Sequence, residues 1–126
     1  MSIIGIGIDI LSITRIKKIM HKLEEKFLYQ ILSNYELNEY KKSKNPIVFL
    51  AKRFSVKEAA SKALGTGIKH GVKFNNFELY HNHLGKPSLR LLKKAKKIAK
   101  NLNINSIHVS LSDEKSHVST IVIIEK

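Results

Sequence analysis

The chain has 126 residues, with 23 Lys and Arg against 10 Asp and Glu, a formal charge of +13, and neither cysteine nor tryptophan. With 43% hydrophobic residues this length suits one core-forming domain, residues 1–126, and the lack of cysteine excludes a disulfide frame, a thiolate metal site and a cysteine nucleophile. No apolar run approaches the ~20 residues that span a bilayer. The opening MSIIGIGIDI has neither the basic segment nor the small-residue cleavage site of a signal peptide, so a soluble cytoplasmic protein is expected.

Residues 3 to 10 read as a strand. Ile4, Ile6, Ile8 and Ile10 take one face, and Gly5, Gly7 and Asp9 the other. Ser12 can cap a helix whose apolar stripe is Ile13, Ile16, Met20, Leu23 and Phe27, with Arg15, Lys18 and Lys22 on the opposite side. Residues 28 to 44 predict one or two short helices. Pro46 suits the opening of the longest helix, about Ile47 to Leu64, stopped by the Gly65-Thr66-Gly67 turn. FELY at 77–80 predicts a strand, HNHLGKP a turn, and Ser88 to Leu91 a second short strand. A basic helix over Leu92 to Asn101 precedes two strands, Ile107 to Ser112 and Val118 to Ile124, joined by Asp113-Glu114-Lys115. Strand-rich ends around helices predict a small α+β fold, an antiparallel sheet with helices packed on one face.

Three stretches could carry chemistry. Asp9 stands in a strand of isoleucines, where a buried carboxylate needs a partner or a cation. The glycines beside it leave room for a ligand or another backbone to approach; a strand-ending cap is the plainer account. In RFSVKEAASKALGTG, Glu58 and Lys62 are four apart and share a helix face with Ser61 beside them. A surface ion pair would explain that spacing, but with Asp9 the two carboxylates would suit a hard cation holding phosphate oxygens. In HVSLS, His108, Ser110 and Ser112 alternate with Ile107, Val109 and Leu111, as in a polar site or an ordinary half-exposed strand. Gly65, Gly67 and Gly71 have the wrong spacing for a dinucleotide fingerprint, and His81 and His83 lack companions for a zinc site. The net charge attracts polyanions, although a uniform bias towards Lys, Asn and Ile is also what genome composition produces.

Taken together, GIGIDILSITRI at 5–16, FLAKRFSVKEAASKALGTGI at 49–68, LGKP at 84–87 and HVSLSDE at 108–114 resemble the holo-acyl carrier protein synthase family of small trimeric 4′-phosphopantetheinyl transferases. The likeness runs nearly end to end. It implies transfer of 4′-phosphopantetheine from coenzyme A to a serine of apo-acyl carrier protein, for fatty acid biosynthesis, releasing adenosine 3′,5′-bisphosphate. By the matching motifs Asp9 and Glu58 would hold Mg²⁺, Glu58 would serve as the base, and Lys62 would stabilise the pyrophosphate. Arg53, Gly65, Thr66, Gly67 and His108 would contact coenzyme A, and Lys86 and Pro87 would approach from a neighbouring protomer of a homotrimer. Arg15, Lys18 and Lys22 would dock the acidic carrier protein. The chain departs from the family at Ser112-Asp113-Glu114, where many members have Ser-His-Asp or Ser-His-Glu, so no histidine role carries over there, nor to His117. Two non-catalytic readings compete: a basic nucleic-acid-binding module, which leaves Asp9 and Glu58 without a role, and a carrier-binding module, against which the intact Asp9, Glu58 and Lys62 argue. The expected partners therefore include neither membrane nor nucleic acid.

Overall fold

Asn45 and Gly65 bracket the helix around which the computed structural model, covering residues 1–126, is arranged. In this helix, α4 (Pro46–Leu64), the Asn45 side chain accepts a hydrogen bond from the Val48 amide, and Pro46 stands where a missing N–H costs nothing. Gly65 ends it in the left-handed conformation, φ 85°. The helix is buried on most of its sides, with Arg53, Ser55, Lys57 and Ser61 among its buried residues. Leu50, Ala51 and Phe54 pack with Ile16, Phe27, Leu28, Ile31 and Val118. Ala59, Ala60 and Ala63 pack with Val72, Phe77, Ala95, Ala99, Val122 and Ile124.

The remaining elements follow in chain order. β1 (Ile3–Ser12) runs directly into α1 (Ile13–Leu23), followed by α2 (Glu25–Ile31) and α3 (Asn34–Lys42). After α4 come a 3₁₀ turn (Phe74–Asn76), β2 (Phe77–His81), β3 (Pro87–Leu91), α5 (Lys93–Asn101), β4 (Ser106–Asp113) and β5 (His117–Glu125). The strands form two antiparallel sheets rather than one: β1-β5-β4, and the hairpin β2-β3. Two helix details also differ from the sequence reading. Ser12 stands before α1 but makes no side-chain cap, and the Ile13 amide donates to the Ser116 carbonyl instead. Phe27 belongs to a separate helix, because Glu24 at φ 53° breaks the apolar stripe after Leu23.

The β1 alternation is as the pattern predicts, and the glycine face is the one α4 covers. A Cβ on Gly7 would fall against the Ala59 carbonyl oxygen, and one on Gly5 against that of Ala63. Only bare backbone allows this approach. The isoleucines point the other way and stand in the open, Ile6 57%, Ile8 65% and Ile10 72% exposed. Because backbone, not a movable side chain, occupies the space, Gly7→Ala is expected to destabilise the fold by at least ~2 kcal/mol; the midpoint of urea unfolding measures it.

Candidate active site

The strand period that buries Gly5 and Gly7 also turns Asp9 inward, opposite Thr120 of β5. Thr120 is itself buried and hydrogen-bonded at 2.9 Å to Ser55 of α4. One carboxylate oxygen of Asp9, Oδ1, lies 3.6 Å from the Lys62 ammonium, which also donates to the Ile8 carbonyl at 2.9 Å. Lys62 thus pairs with the strand, not with Glu58. Ser61, expected beside them, is buried on another side of α4 and bonds back to the Glu58 carbonyl.

Glu58 is half-buried, one turn before Lys62. Burial raises its pKa above the ordinary carboxylate value, and the charge on Asp9 raises it further; Lys62 and Arg15 pull it down. Each effect acts through the disfavoured or favoured carboxylate anion. The two acids and one lysine therefore form a single electrostatic cluster.

The second oxygen of Asp9, Oδ2, is buried and has no hydrogen-bond partner. In the whole molecule only one other buried side-chain polar atom shares that condition, Nε of Arg53. A buried carboxylate oxygen normally has a donor, so this one suits a cation. Asp9 and Glu58 fit Mg²⁺, which takes one or two protein carboxylates and completes its shell with water and phosphate oxygens. Arg53 is buried with its guanidinium carbon 3.7 Å from the centre of the Phe49 ring. Burial lowers its pKa, and the charges of Glu36, Glu39 and Tyr35 oppose that. Its unused donor suits an anion.

The Gly65-Thr66-Gly67 turn follows from the end of α4. The amides of Thr66 and Gly67 both donate to the Ser61 carbonyl, and space beside Gly65 and Gly67 is open, so a large ligand can lie against this backbone. Two parts of the expected site are not brought to Asp9 within one chain. His108 faces outward with Ile123 and Ile6, bonded at 2.5 Å to Glu125, while Asp9 faces inward. Lys86 ends the β2–β3 turn and Pro87 opens β3; the turn is held by Asn82, whose side chain accepts from the amides of Leu84 and Lys86. On α1, Lys18 and Lys22 are exposed. Arg15 is exposed as well, and its guanidinium lies 5.6 Å from the Phe54 ring, towards Glu58.

Sequence reasoning missed a buried charge network. The Lys57 ammonium is fully buried against Glu36, also fully buried, and Glu78 accepts from Ser33 and Arg90. The signal for Lys57 was available: it stands seven residues from both Leu50 and Leu64, on a buried helix stripe. Nothing local singles out Glu36 as its partner.

The chain matches the family model described as the 4′-phosphopantetheinyl transferase superfamily over residues 5–122. It is 59% identical to the holo-[acyl-carrier-protein] synthase of Buchnera aphidicola subsp. Schizaphis graminum over 126 residues, the full length of both. Its structure resembles the crystal structure of holo-[acyl-carrier-protein] synthase from Neisseria meningitidis, with a TM-score of 0.93 and 40% identity over 99% of this chain and 100% of that one. The Helicobacter pylori synthase, solved in complex with coenzyme A, gives a TM-score of 0.83 at 32% identity, over 95% and 99% of the two chains.

The raised pKa of Glu58 has a testable sign. A carboxyl whose folded pKa exceeds its unfolded value of 4.5 supports the fold below that value, and the support is lost as pH rises through the folded pKa. With EDTA present, Glu58→Gln should therefore raise Tm at pH 7. The gain should vanish near pH 4, where glutamic acid and glutamine are both neutral; thermal melts at the two pH values measure it.

Proposed function

The chain belongs to the 4′-phosphopantetheinyl transferase superfamily, and we propose that it transfers 4′-phosphopantetheine from coenzyme A to a serine of apo-acyl carrier protein. The serine oxygen bonds to the phosphorus that carries pantetheine, and the P–O bond to the adenosine 3′,5′-bisphosphate half breaks. The observation that carries this reading is the unpartnered buried Oδ2 of Asp9, beside the turns of α4 that hold Glu58 and Lys62. Moving a phosphoryl group from a phosphate oxygen to a serine oxygen needs little covalent help. It needs fixed positions and compensation for charge.

Each residue then has a task. Glu58 accepts the proton of the carrier serine, directly or through water. Lys62, half-exposed at the end of its stem, supplies positive charge to the pyrophosphate and its leaving oxygen. Arg53 offers positive charge to a phosphate of the nucleotide, while Gly65, Thr66 and Gly67 give the ligand a bare backbone to lie on. Asp9 and Glu58 would hold Mg²⁺, which when bound neutralises charge developing on the phosphoryl oxygens.

The remaining expected contacts call for a neighbouring copy. The outer sheet face carries Ile6, Ile8, Ile10 and Ile121 in the open, and a contiguous apolar surface of this kind marks an association site. A homotrimer built on that face would cover the isoleucines and let His108, Lys86 and Pro87 of one protomer serve coenzyme A bound at the next. The exposed lysines of α1, Lys18 and Lys22, with Arg15 nearer the acids, would steer an acidic carrier protein.

Intact mass of an apo-acyl carrier protein after incubation with this protein, coenzyme A and Mg²⁺ tests the activity. A gain of one phosphopantetheine is expected, abolished by EDTA and reduced at least ~100-fold in rate by Asp9→Ala. No gain from a folded assembly and a cognate carrier would overturn the reading. For the assembly, Ile8→Lys should give a dissociated protomer by sedimentation with turnover lost; full turnover from that protomer would sink the shared site.

A further inference from the structure

Lys57 precedes Glu58 in α4 and leaves the helix on a different side. Its ammonium has three protons and three acceptors: Oε1 of Glu36 at 2.5 Å, the Phe77 carbonyl at 2.5 Å and the Phe74 carbonyl at 3.3 Å. These lie on α3, β2 and the 3₁₀ turn, so one side chain ties α4 to three other elements. Glu36 is equally engaged. It accepts from the Ser33 amide and the Leu79 amide, each at 3.1 Å, and its Oε2 lies 3.9 Å from Nε of Arg53.

We propose that the Glu36–Lys57 pair is a positioning device that fixes the rotation of α4, and thereby aligns Glu58 and Lys62 on β1 and sets the direction in which Arg53 faces. This rests on the transferase reading of those three residues. The need arises from the packing. On its strand-facing side α4 presents Ala59 and Ala63 to bare glycine backbone, and small side chains resist rolling about the helix axis only weakly. Directional bonds resist it strongly. Consecutive helix residues are ~100° apart around the axis, so a locked Lys57 dictates where Glu58 points. Lys62 lies on the same turns, and Arg53 is one turn back on the Lys57 side, under the same carboxylate. Stability alone does not account for the pair, since buried ion pairs seldom outperform apolar residues of similar size, whereas fixing register is their best-attested use.

The test is the paired substitution Glu36→Gln with Lys57→Met, which removes both charges and leaves neither unpaired. Folding and assembly are checked by thermal melts and sedimentation, and wild type run alongside tests the transferase reading separately. In a folded double variant we expect kcat to fall tenfold or more, as for a small misplacement of reacting groups. KM for coenzyme A should rise through Arg53, and affinity for Mn²⁺ alone, followed by electron paramagnetic resonance without coenzyme A, should weaken. A folded double variant with wild-type kcat, KM and Mn²⁺ affinity would overturn the proposal even if its Tm were lower. Should that variant not fold, Glu36→Asp, which keeps the charge but draws it back by one methylene, carries the test. Reduced kcat and Mn²⁺ affinity in it support the positioning role, and wild-type values overturn it.

Discussion

At Gly5 and Gly7 the backbones of β1 and α4 meet with no side chain between them. Everything else about the site is arranged around that contact. A strand this close to a helix delivers its next inward residue, Asp9, to the height of Glu58 and Lys62, with no loop intervening. The same geometry forces the alternate residues outward, and those are isoleucines. The face that looks most like core in the sequence is the one the fold leaves open, and the face that looks weakest is the one it buries.

Much of this was legible because it is local. Pro46 and Gly65 mark the two ends of α4 by chemistry any helix obeys, and the period of two separates Asp9 from the isoleucines before any tertiary contact is known. The motifs around Asp9 and Glu58 likewise pointed to the transferase family, and the α+β architecture followed. What escaped depends on distance in the chain. The break after Leu23 rests on Glu24 at positive φ, a conformation no glycine or asparagine announces. Glu36 and Lys57 are 21 residues apart, and only the folded chain says which lysine a given carboxylate meets. The orientation of His108 away from Asp9 follows from the order β1-β5-β4, which alternation within single strands does not contain. Arg15 is exposed like Lys18 and Lys22, but its guanidinium also lies over Phe54, a contact the stripe does not announce, because α1 crosses α4 there.

Two kinds of buried polar group share α4. Lys57 and Ser55 have complete sets of partners and bind the helix to α3, β2 and β5. Glu58 holds a destabilised charge, and Arg53 an unused donor. Satisfied groups make the scaffold rigid, and unsatisfied ones leave interaction energy for a ligand to collect. The alternation around a single helix explains how a chain this short can be both firmly packed and chemically poised. It has one element, not two, to hold in place.

The pairing of β1 with β5, from Ile3 opposite Glu125 to Ser12 opposite His117, also imposes an order on biosynthesis. The isoleucine strand is made early and its only partner in the sheet late, so the β1 ladder must wait while about a hundred residues are translated. During that interval IIGIGIDI is a free β-prone segment of the sort that templates aggregation. Gly5, Gly7 and Asp9 interrupt it at every second position, and glycine and aspartate are poor strand formers. The residues that admit the helix in the finished protein thus also protect the unfinished one.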